Sequence, residues 1–225
     1  MSSRSQLILN LPHRPANGRE DFFVASCNKL ALDFIDRWPD WSAPFAVLCG
    51  PPGCGKSHLA AVWQKQSGAH FLKQAQIESR LERISLNDCC FIIDLAVGIL
   101  DEETFFYFYN RVAEYGGAIL ASATSPPGHW KFALPDLESR LRAAPVVQIG
   151  MPDDVLLEAV LVKLFLDRQL RVEPAVITYI LRRIHRSLGA ARDFIRVLDE
   201  AALAQKRIIS IPLVRSVLES MSVGK

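Results

Sequence analysis

The chain has 225 residues, 50% of them hydrophobic and 22% charged, with 26 Lys and Arg against 24 Asp and Glu. These values are typical of globular proteins and exclude a disordered, collagen-like or coiled-coil chain, and a formal charge of +2 does not by itself indicate a nucleic-acid or membrane partner. Five cysteines without a CxxC pair predict neither a disulfide framework nor a zinc site. No stretch has the length and apolar character of a secretory signal or a membrane span, so we expect a reduced, soluble, cytoplasmic protein.

Short apolar runs alternate with helical patterns over the first two thirds of the chain. Five runs have the length of strands, at 45–49, 69–72, 89–93, 118–121 and 146–149. Uninterrupted apolar runs are typical of strands that are buried on both faces, as in parallel sheets. Helical patterns lie near 57–67, 74–83, 102–115 and 135–142, and an earlier helix is predicted from a cap at Ser26 to about Arg37. The alternation predicts a five-stranded parallel α/β sheet with helices on both faces.

The pattern changes after Gly150, because no strand signal follows it. Helices are predicted at 153–168, 173–186, 189–206 and 211–220. We therefore predict a boundary near 150–152 between an α/β domain at 16–150 and a small all-α domain at 151–225. Residues 1–15 are predicted to be an N-terminal peptide and linker.

The strongest motif begins directly after the first predicted strand. Residues 50–57, called the P-loop below, match G-x-x-x-x-G-K-[ST] at every fixed position and read Gly50-Pro51-Pro52-Gly53-Cys54-Gly55-Lys56-Ser57. In such a loop backbone N–H groups surround the phosphates, the lysine reaches the β- and γ-phosphates, and the serine hydroxyl binds Mg²⁺. We predict an ATP or ADP site that includes His58, and an ordinary strand–turn–helix connection is the alternative. The thiol of Cys54 is expected to have a lowered pKa near the helix N-terminus.

A carboxylate follows the third predicted strand. Asp94 ends the apolar run Phe91-Ile92-Ile93, so we predict that it holds Mg²⁺ together with Ser57, through water. An Asp that caps a loop is the alternative. ATPases of the AAA+ class usually place a second acid at the next position to polarise the attacking water, but this sequence has Leu95. We therefore expect nucleotide binding with slow or absent intrinsic hydrolysis. No Asn-Lys-x-Asp follows the P-loop, which argues against a guanine-specific GTPase.

Two further segments resemble the DnaA/Hda family of AAA+ proteins. They are Ile119-Leu120-Ala121-Ser122-Ala123-Thr124-Ser125-Pro126-Pro127 and Leu134-Pro135-Asp136-Leu137-Glu138-Ser139-Arg140-Leu141. The resemblance covers nearly all of 6–220 and implies an AAA+ sheet followed by a helical lid. It also implies Thr124 as sensor 1 near the γ-phosphate, Arg140 as an arginine finger for a neighbouring subunit's nucleotide, and Arg192 as sensor 2 in the lid. A solvated helix face is the alternative for both arginines.

The N-terminal peptide Gln6-Leu7-Ile8-Leu9-Asn10-Leu11 fits the same resemblance. Hda-like proteins carry a Gln-Leu-x-Leu-x-Leu peptide that docks on the replicative sliding clamp, the DNA polymerase III beta subunit. The resemblance thus implies Gln6, Leu7, Leu9 and Leu11 as clamp-binding residues, and an N-terminal strand packed on its own domain is the alternative. The basic helix-turn-helix domain that follows the lid in DnaA is missing from this sequence, so we expect no specific DNA binding of its own.

The resemblance implies a regulatory adaptor whose partner is DnaA. Such an adaptor would dock on the clamp, bind adenine nucleotide and present Arg140 to ATP-bound DnaA. By promoting hydrolysis of the ATP that DnaA holds, it would limit replication initiation. Two alternatives stay open: a self-contained ATPase such as a helicase loader or transposition helper, and a binding module whose nucleotide is only structural. The sequence leaves open the choice between ADP and ATP, and also homo-oligomerisation.

Overall fold

A single parallel sheet places the ends of its central strands side by side. The computed structural model describes residues 22–223. The strands are β1 (Phe45–Cys49), β2 (His70–Leu72), β3 (Cys90–Asp94), β4 (Ala118–Ala123) and β5 (Val146–Gln148), in the order β2-β3-β4-β1-β5. Cys49 pairs with Ala123, and Asp94 pairs with Ser122. The carboxyl ends of β1, β3 and β4 therefore meet at one edge of the sheet.

Helices cover both faces of this sheet. One face carries α1 (Lys29–Ile35) and α2 (Lys56–Ser67), and the other carries α3 (Ile77–Leu81), α4 (Glu102–Glu114) and α5 (Pro135–Arg142). Alternate residues of β1 serve the two cores: Phe45 and Val47 pack under α4 and α5, whereas Ala46 and Leu48 pack under α1 and α2. Every residue of β1 is buried, as expected for a central parallel strand.

Four helices follow the sheet and have a core of their own. They are α6 (Asp154–Asp167), α7 (Pro174–Leu181), α8 (Leu188–Gln205) and α9 (Ile211–Val223). Their core includes Phe165, Phe194 and Leu198, which are almost fully buried. These helices form a small all-α lid that follows the sheet. Between residues 22 and 223, no helix has the length and apolar composition needed to cross a membrane.

Several helix boundaries differ from the sequence prediction: α3 is confined to Ile77–Leu81 and α9 continues to Val223, and larger changes affect α1 and α7. Helix α1 begins at Lys29, because the Asn28 side chain accepts a hydrogen bond from the Ala25 N–H at 2.8 Å and donates one to the Phe23 carbonyl at 2.9 Å, which holds residues 25–28 in a turn. Helix α7 ends at Leu181 rather than at 186. The chain turns there, and Ser187 adopts the extended backbone of an N-cap and starts α8.

Three tryptophans form a cluster at the edge of the sheet opposite the P-loop. Trp63, in the second half of α2, is fully buried and stacks on Trp41 with ring centroids 5.0 Å apart. Trp38 meets Trp63 edge-on at 5.3 Å, and Phe34 stacks on Trp41 at 4.8 Å. The indole N–H of Trp41 donates to the Phe34 carbonyl at 3.1 Å. The cluster therefore ties the connection between α1 and β1 to α2.

Candidate nucleotide site

The P-loop connects β1 to α2 and has the close backbone packing that its glycines predict. A Cβ atom on Gly50 would lie 2.4 Å from the Ile149 carbonyl oxygen, so only glycine fits there. Gly53 has φ +74°, a left-handed conformation that glycine adopts without steric cost. The loop is thus shaped by local sterics, independently of any ligand.

The P-loop side chains that the sequence predicts to bind nucleotide are Lys56, Ser57 and His58. The Lys56 ammonium donates to the carbonyl oxygens of Gly50 and Pro51 at 2.7 and 2.9 Å. Ser57 is exposed in the first turn of α2, and the ring of His58 meets Phe22 edge-on at 5.2 Å. An incoming phosphate would compete with the two carbonyls for the Lys56 ammonium.

The acid and the proposed sensor lie at the same edge of the sheet as the P-loop. Asp94 is exposed and accepts hydrogen bonds from the Ser122 hydroxyl at 3.0 Å and the Ala96 N–H at 3.1 Å. Thr124 follows β4 directly, and the neighbouring Ala123 carbonyl accepts from the N–H of Gly50 at 3.1 Å. The structure therefore brings Asp94 and Thr124 next to the P-loop. No role was predicted for Ser122, although a polar residue in an apolar strand is a signal of function.

The oxygen ligands at this edge suit Mg²⁺, which prefers carboxylate, hydroxyl and water oxygens. The protein offers the Asp94 carboxylate and the Ser57 hydroxyl. The described part of the chain contains no group of three or more His, Cys, Asp or Glu side chains that could hold a metal ion. Mg²⁺ at this site would therefore complete its coordination with phosphate and water oxygens, as it usually does in nucleotide sites.

Leu95, which follows Asp94, is buried in the core under α4 and α5 with 1% of its surface exposed. The nearest acids further along the chain have structural partners. Asp101 caps α4 by accepting from the Thr104 N–H at 3.0 Å, and the Glu102 carboxylate accepts from the N–H groups of Ala133 and Leu134 at 2.9 and 2.7 Å. The position after Asp94 thus faces the core instead of the nucleotide edge.

Cys54 is buried within the P-loop, with 3% of its surface exposed. Burial raises the pKa of the Cys54 thiol above its ordinary value, and the nearby Lys56 charge lowers it by less. The predicted lowering of this pKa is therefore wrong. A helix N-terminus favours a thiolate, but here the loss of solvent around the sulfur is the larger effect.

The lid contacts the P-loop through the start of α8. The N–H groups of Leu188 and Gly189 donate to the Gly53 carbonyl at 2.8 and 3.4 Å. A Cβ atom on Gly53 would lie 2.5 Å from the Ser187 hydroxyl oxygen, which shows how closely the two segments pack. We call this contact the lid tie. The lid tie satisfies two N–H groups that a helix start leaves without intrahelical partners. It joins segments far apart in the chain, so sequence patterns do not predict it.

Arg192 lies in α8, one turn beyond the lid tie. Its side chain is exposed, and within residues 22–223 its guanidinium makes no hydrogen bond or ion pair. The sensor 2 role of Arg192 stays a prediction. The predicted clamp-binding residues Gln6, Leu7, Leu9 and Leu11 lie outside the described residues.

Arg140 lies in the last turn of α5, away from the P-loop of its own chain. Its Nη1 donates to the Asn110 Oδ1 at 2.6 Å, and its guanidinium carbon lies 5.1 and 5.4 Å from the ring centroids of Phe106 and Tyr109. Tyr109 in turn packs against Phe45, the first residue of β1, with ring centroids 6.3 Å apart. Because the P-loop follows the last residue of β1, Arg140 and the P-loop lie toward opposite edges of the sheet.

Comparison with known proteins finds relatives of both the lid and the whole fold. Residues 158–218 match the family model of the Hda lid domain. An uncharacterised protein of Haemophilus influenzae is 27% identical over 93% of this chain and 97% of its own length. Domain III of the replication initiation protein DnaA from Thermotoga maritima superposes with a TM-score of 0.76 at 15% identity, covering 93% of this chain and 98% of that one. AMPPCP-bound DnaA from Aquifex aeolicus gives a TM-score of 0.65 at 15% identity, with 84% and 67% covered.

The parallel sheet, the P-loop motif and the helical lid together have the AAA+ fold. Its lid matches the Hda lid domain over residues 158–218, and its fold is that of domain III of DnaA.

Proposed function

We propose that this protein is a regulatory adaptor of replication initiation. In this proposal it binds ADP or ATP with Mg²⁺ at the P-loop, docks on the replicative sliding clamp through residues 6–11, and promotes ATP hydrolysis by DnaA. The Hda-type lid and the DnaA-like fold support a place among DnaA-related replication proteins. The AMPPCP-bound relative supports a nucleotide ligand for the same fold.

The placement of Arg140 carries this proposal. Its guanidinium is exposed, and it lies on the face of the sheet opposite α2 and toward the edge opposite the P-loop. A cation in this position is too far from the nucleotide of its own chain but is accessible to a nucleotide that another subunit holds. An arginine supplied by a neighbouring subunit stabilises the charge that develops during γ-phosphoryl transfer.

Leu95 favours the adaptor over a self-contained ATPase. AAA+ ATPases usually have an acid at this position that polarises the attacking water. This chain has a leucine there, and its side chain is buried in the core. We expect the pure protein to hydrolyse ATP slowly or not at all. A turnover assay distinguishes the two functions, because steady hydrolysis that Lys56→Ala abolishes would favour the ATPase.

The decisive experiment measures hydrolysis of DnaA-bound ATP with and without this protein and DNA-loaded clamp. We expect wild-type protein to accelerate hydrolysis and Arg140→Ala to lose nearly all of this effect, since trans arginine fingers contribute roughly 10³–10⁵-fold in GTPases. Arg142→Ala is the matched control, because Arg142 lies on the same helix but pairs with Glu138 at 2.7 Å. Full stimulation by a folded Arg140→Ala protein would refute the finger and leave a binding module as the better hypothesis.

A further inference from the structure

The guanidinium of Arg140 is held in one place although it is exposed. The Asn110 amide oxygen accepts its hydrogen bond at 2.6 Å, and the rings of Phe106 and Tyr109 lie 5.1 and 5.4 Å from its central carbon. All three residues belong to α4, and Tyr109 is buried against the sheet. A hydrogen bond and two ring contacts from one packed helix restrict a side chain that is otherwise among the most flexible.

Every one of these contacts is electrically neutral. Arg142 on the same helix pairs with Glu138 at 2.7 Å, and Arg111 on α4 pairs with Glu114 at 3.0 Å. Within the part of the chain that the structure describes, no carboxylate lies within ion-pair distance of Arg140. Arg140 therefore has a fixed position and an uncompensated positive charge. An anion that approaches this face meets a cation already oriented and not neutralised by its own protein.

We propose that Asn110 is a positioning residue for Arg140. It holds the guanidinium above the Phe106 and Tyr109 rings, ready for the γ-phosphate of a nucleoside triphosphate on a partner subunit, without neutralising its charge. The inference rests on the proposed function of Arg140. Its physical reason is preorganisation: a donor that is already in place stabilises developing charge without first losing its own freedom.

Two substitutions separate the neutral contact from simple packing. Asn110→Ala removes the acceptor and releases the guanidinium. Asn110→Asp keeps the size and the acceptor oxygen but adds a negative charge, which would form a charge-assisted pair with Arg140 and compensate its charge. A purely structural role would tolerate the isosteric Asp, whereas a role in presenting a free cation would not.

The test measures single-turnover hydrolysis of DnaA-bound ATP over a range of concentrations of this protein. We expect Asn110→Ala to lower the maximal rate by about 10–100-fold, the loss expected when a catalytic group is misplaced by about 1 Å. Asn110→Asp should lower it further, toward the rate of Arg140→Ala, and Arg142→Ala should leave it unchanged. The half-saturating concentration should change little, because the contact orders a side chain and does not create the docking surface.

A second readout does not depend on the partner. NMR relaxation of the Arg140 Nε–Hε group should show increased motion in Asn110→Ala and a rigid side chain in Asn110→Asp. Asn110→Ser keeps a neutral acceptor and replaces Asn110→Ala in these measurements if Asn110→Ala does not fold. The maximal rate with Asn110→Ser should be higher than that with Asn110→Asp.

The outcomes distinguish failure of the inference from failure of the proposed function. If Arg140→Ala stimulates fully, the proposed function is wrong whatever Asn110 does. If Arg140→Ala is inactive but Asn110→Ala and Asn110→Asp both reach the wild-type maximal rate, the positioning role is refuted and the finger stands. If Asn110→Asp equals the wild type in both the maximal rate and the mobility of Arg140, the need for a neutral partner is refuted as well.

Discussion

At the residue scale, the contacts of Lys56 indicate how the P-loop would respond to a ligand. The ammonium is held by the carbonyl oxygens of Gly50 and Pro51, which hydrogen-bond it without neutralising its charge. A phosphate is a stronger acceptor for an ammonium than a carbonyl is, because its own negative charge assists the bond. Nucleotide binding would therefore draw the Lys56 side chain from the loop backbone toward the phosphates.

We expect Lys56→Ala to weaken ADP binding by roughly 10–150-fold, since a hydrogen bond to a charged group contributes about 1.5–3 kcal/mol. Isothermal titration calorimetry measures the change in Kd. Lys65→Ala is the control, because Lys65 is exposed near the far end of the same helix and should leave the affinity unchanged. Equal affinities for the two variants would remove Lys56 from the site.

We expect Cys54 to react slowly with iodoacetamide at neutral pH in the folded protein. Its raised pKa leaves less thiolate than an ordinary cysteine has at the same pH, so the rate should keep increasing as pH rises above the usual pKa of about 8.5 instead of levelling off there. Bound ADP should slow the reaction further by covering the loop. Mass spectrometry of the Cys54 peptide follows the labelling, with urea-unfolded protein as the reference. Rapid labelling of folded protein at pH 7 would contradict the buried thiol.

The sequence predicted the residues whose spacing along the chain is itself the chemical requirement. Lys56, Ser57 and Asp94 belong to this group, and the structure places them at the carboxyl edge of the sheet as expected, whereas their binding of phosphate and Mg²⁺ stays a prediction. Asn110 was not predictable, since its contact with Arg140 depends on how α4 packs beside α5. Ser122 reaches Asp94 only through the register of β3 on β4.

At the element scale, two N-caps in the lid have the same chemistry but different neighbours. The Asp153 side chain accepts from the Leu156 N–H at 2.8 Å, and the Ser187 hydroxyl accepts from the Ala190 N–H at 3.0 Å. Ser187 also belongs to the lid tie, whereas Asp153 starts α6. Removing each of these two N-caps therefore gives a matched test of whether the lid tie influences the P-loop.

We expect Ser187→Ala and Asp153→Ala each to lower the free energy of unfolding by about 0.5–2 kcal/mol, the usual cost of removing an N-cap. Urea titration measures this loss. Only Ser187→Ala should also weaken ADP binding, because its hydroxyl packs against Gly53. Equal ADP affinities in the two variants would show that the lid tie does not influence the loop.

Strand positions were predictable because the buried strands are uninterrupted apolar runs, and β1 has the predicted limits of 45–49. The end of α7 could not be predicted from the sequence, because Ile184 continues the helical spacing of apolar residues beyond Leu181. What ends the helix is the turn before Ser187, where the next helix contacts Gly53, a residue far away in sequence. Strand order depends in the same way on pairing between distant segments, which periodicity does not encode.

At the scale of the whole molecule, the proposed clamp-binding peptide and the P-loop are separate stretches of chain. We expect Gln6→Ala combined with Leu9→Ala to abolish clamp binding in gel filtration and to leave the Kd for ADP unchanged. Asn10→Ala is the control, because position 10 falls between the leucines of the pattern. If the double variant still co-elutes with the clamp, the docking peptide lies elsewhere in the chain.

The tryptophan cluster has a consequence for how unfolding of this protein can be observed. All four tryptophans, at 38, 41, 63 and 130, precede the lid, whose helices α6 to α9 contain none. Tryptophan fluorescence therefore reports only the α/β part, whereas far-ultraviolet circular dichroism also records the four lid helices. Coincident transitions in the two signals would mean that both cores unfold as one cooperative unit, and an earlier transition in circular dichroism would mean that the lid melts first.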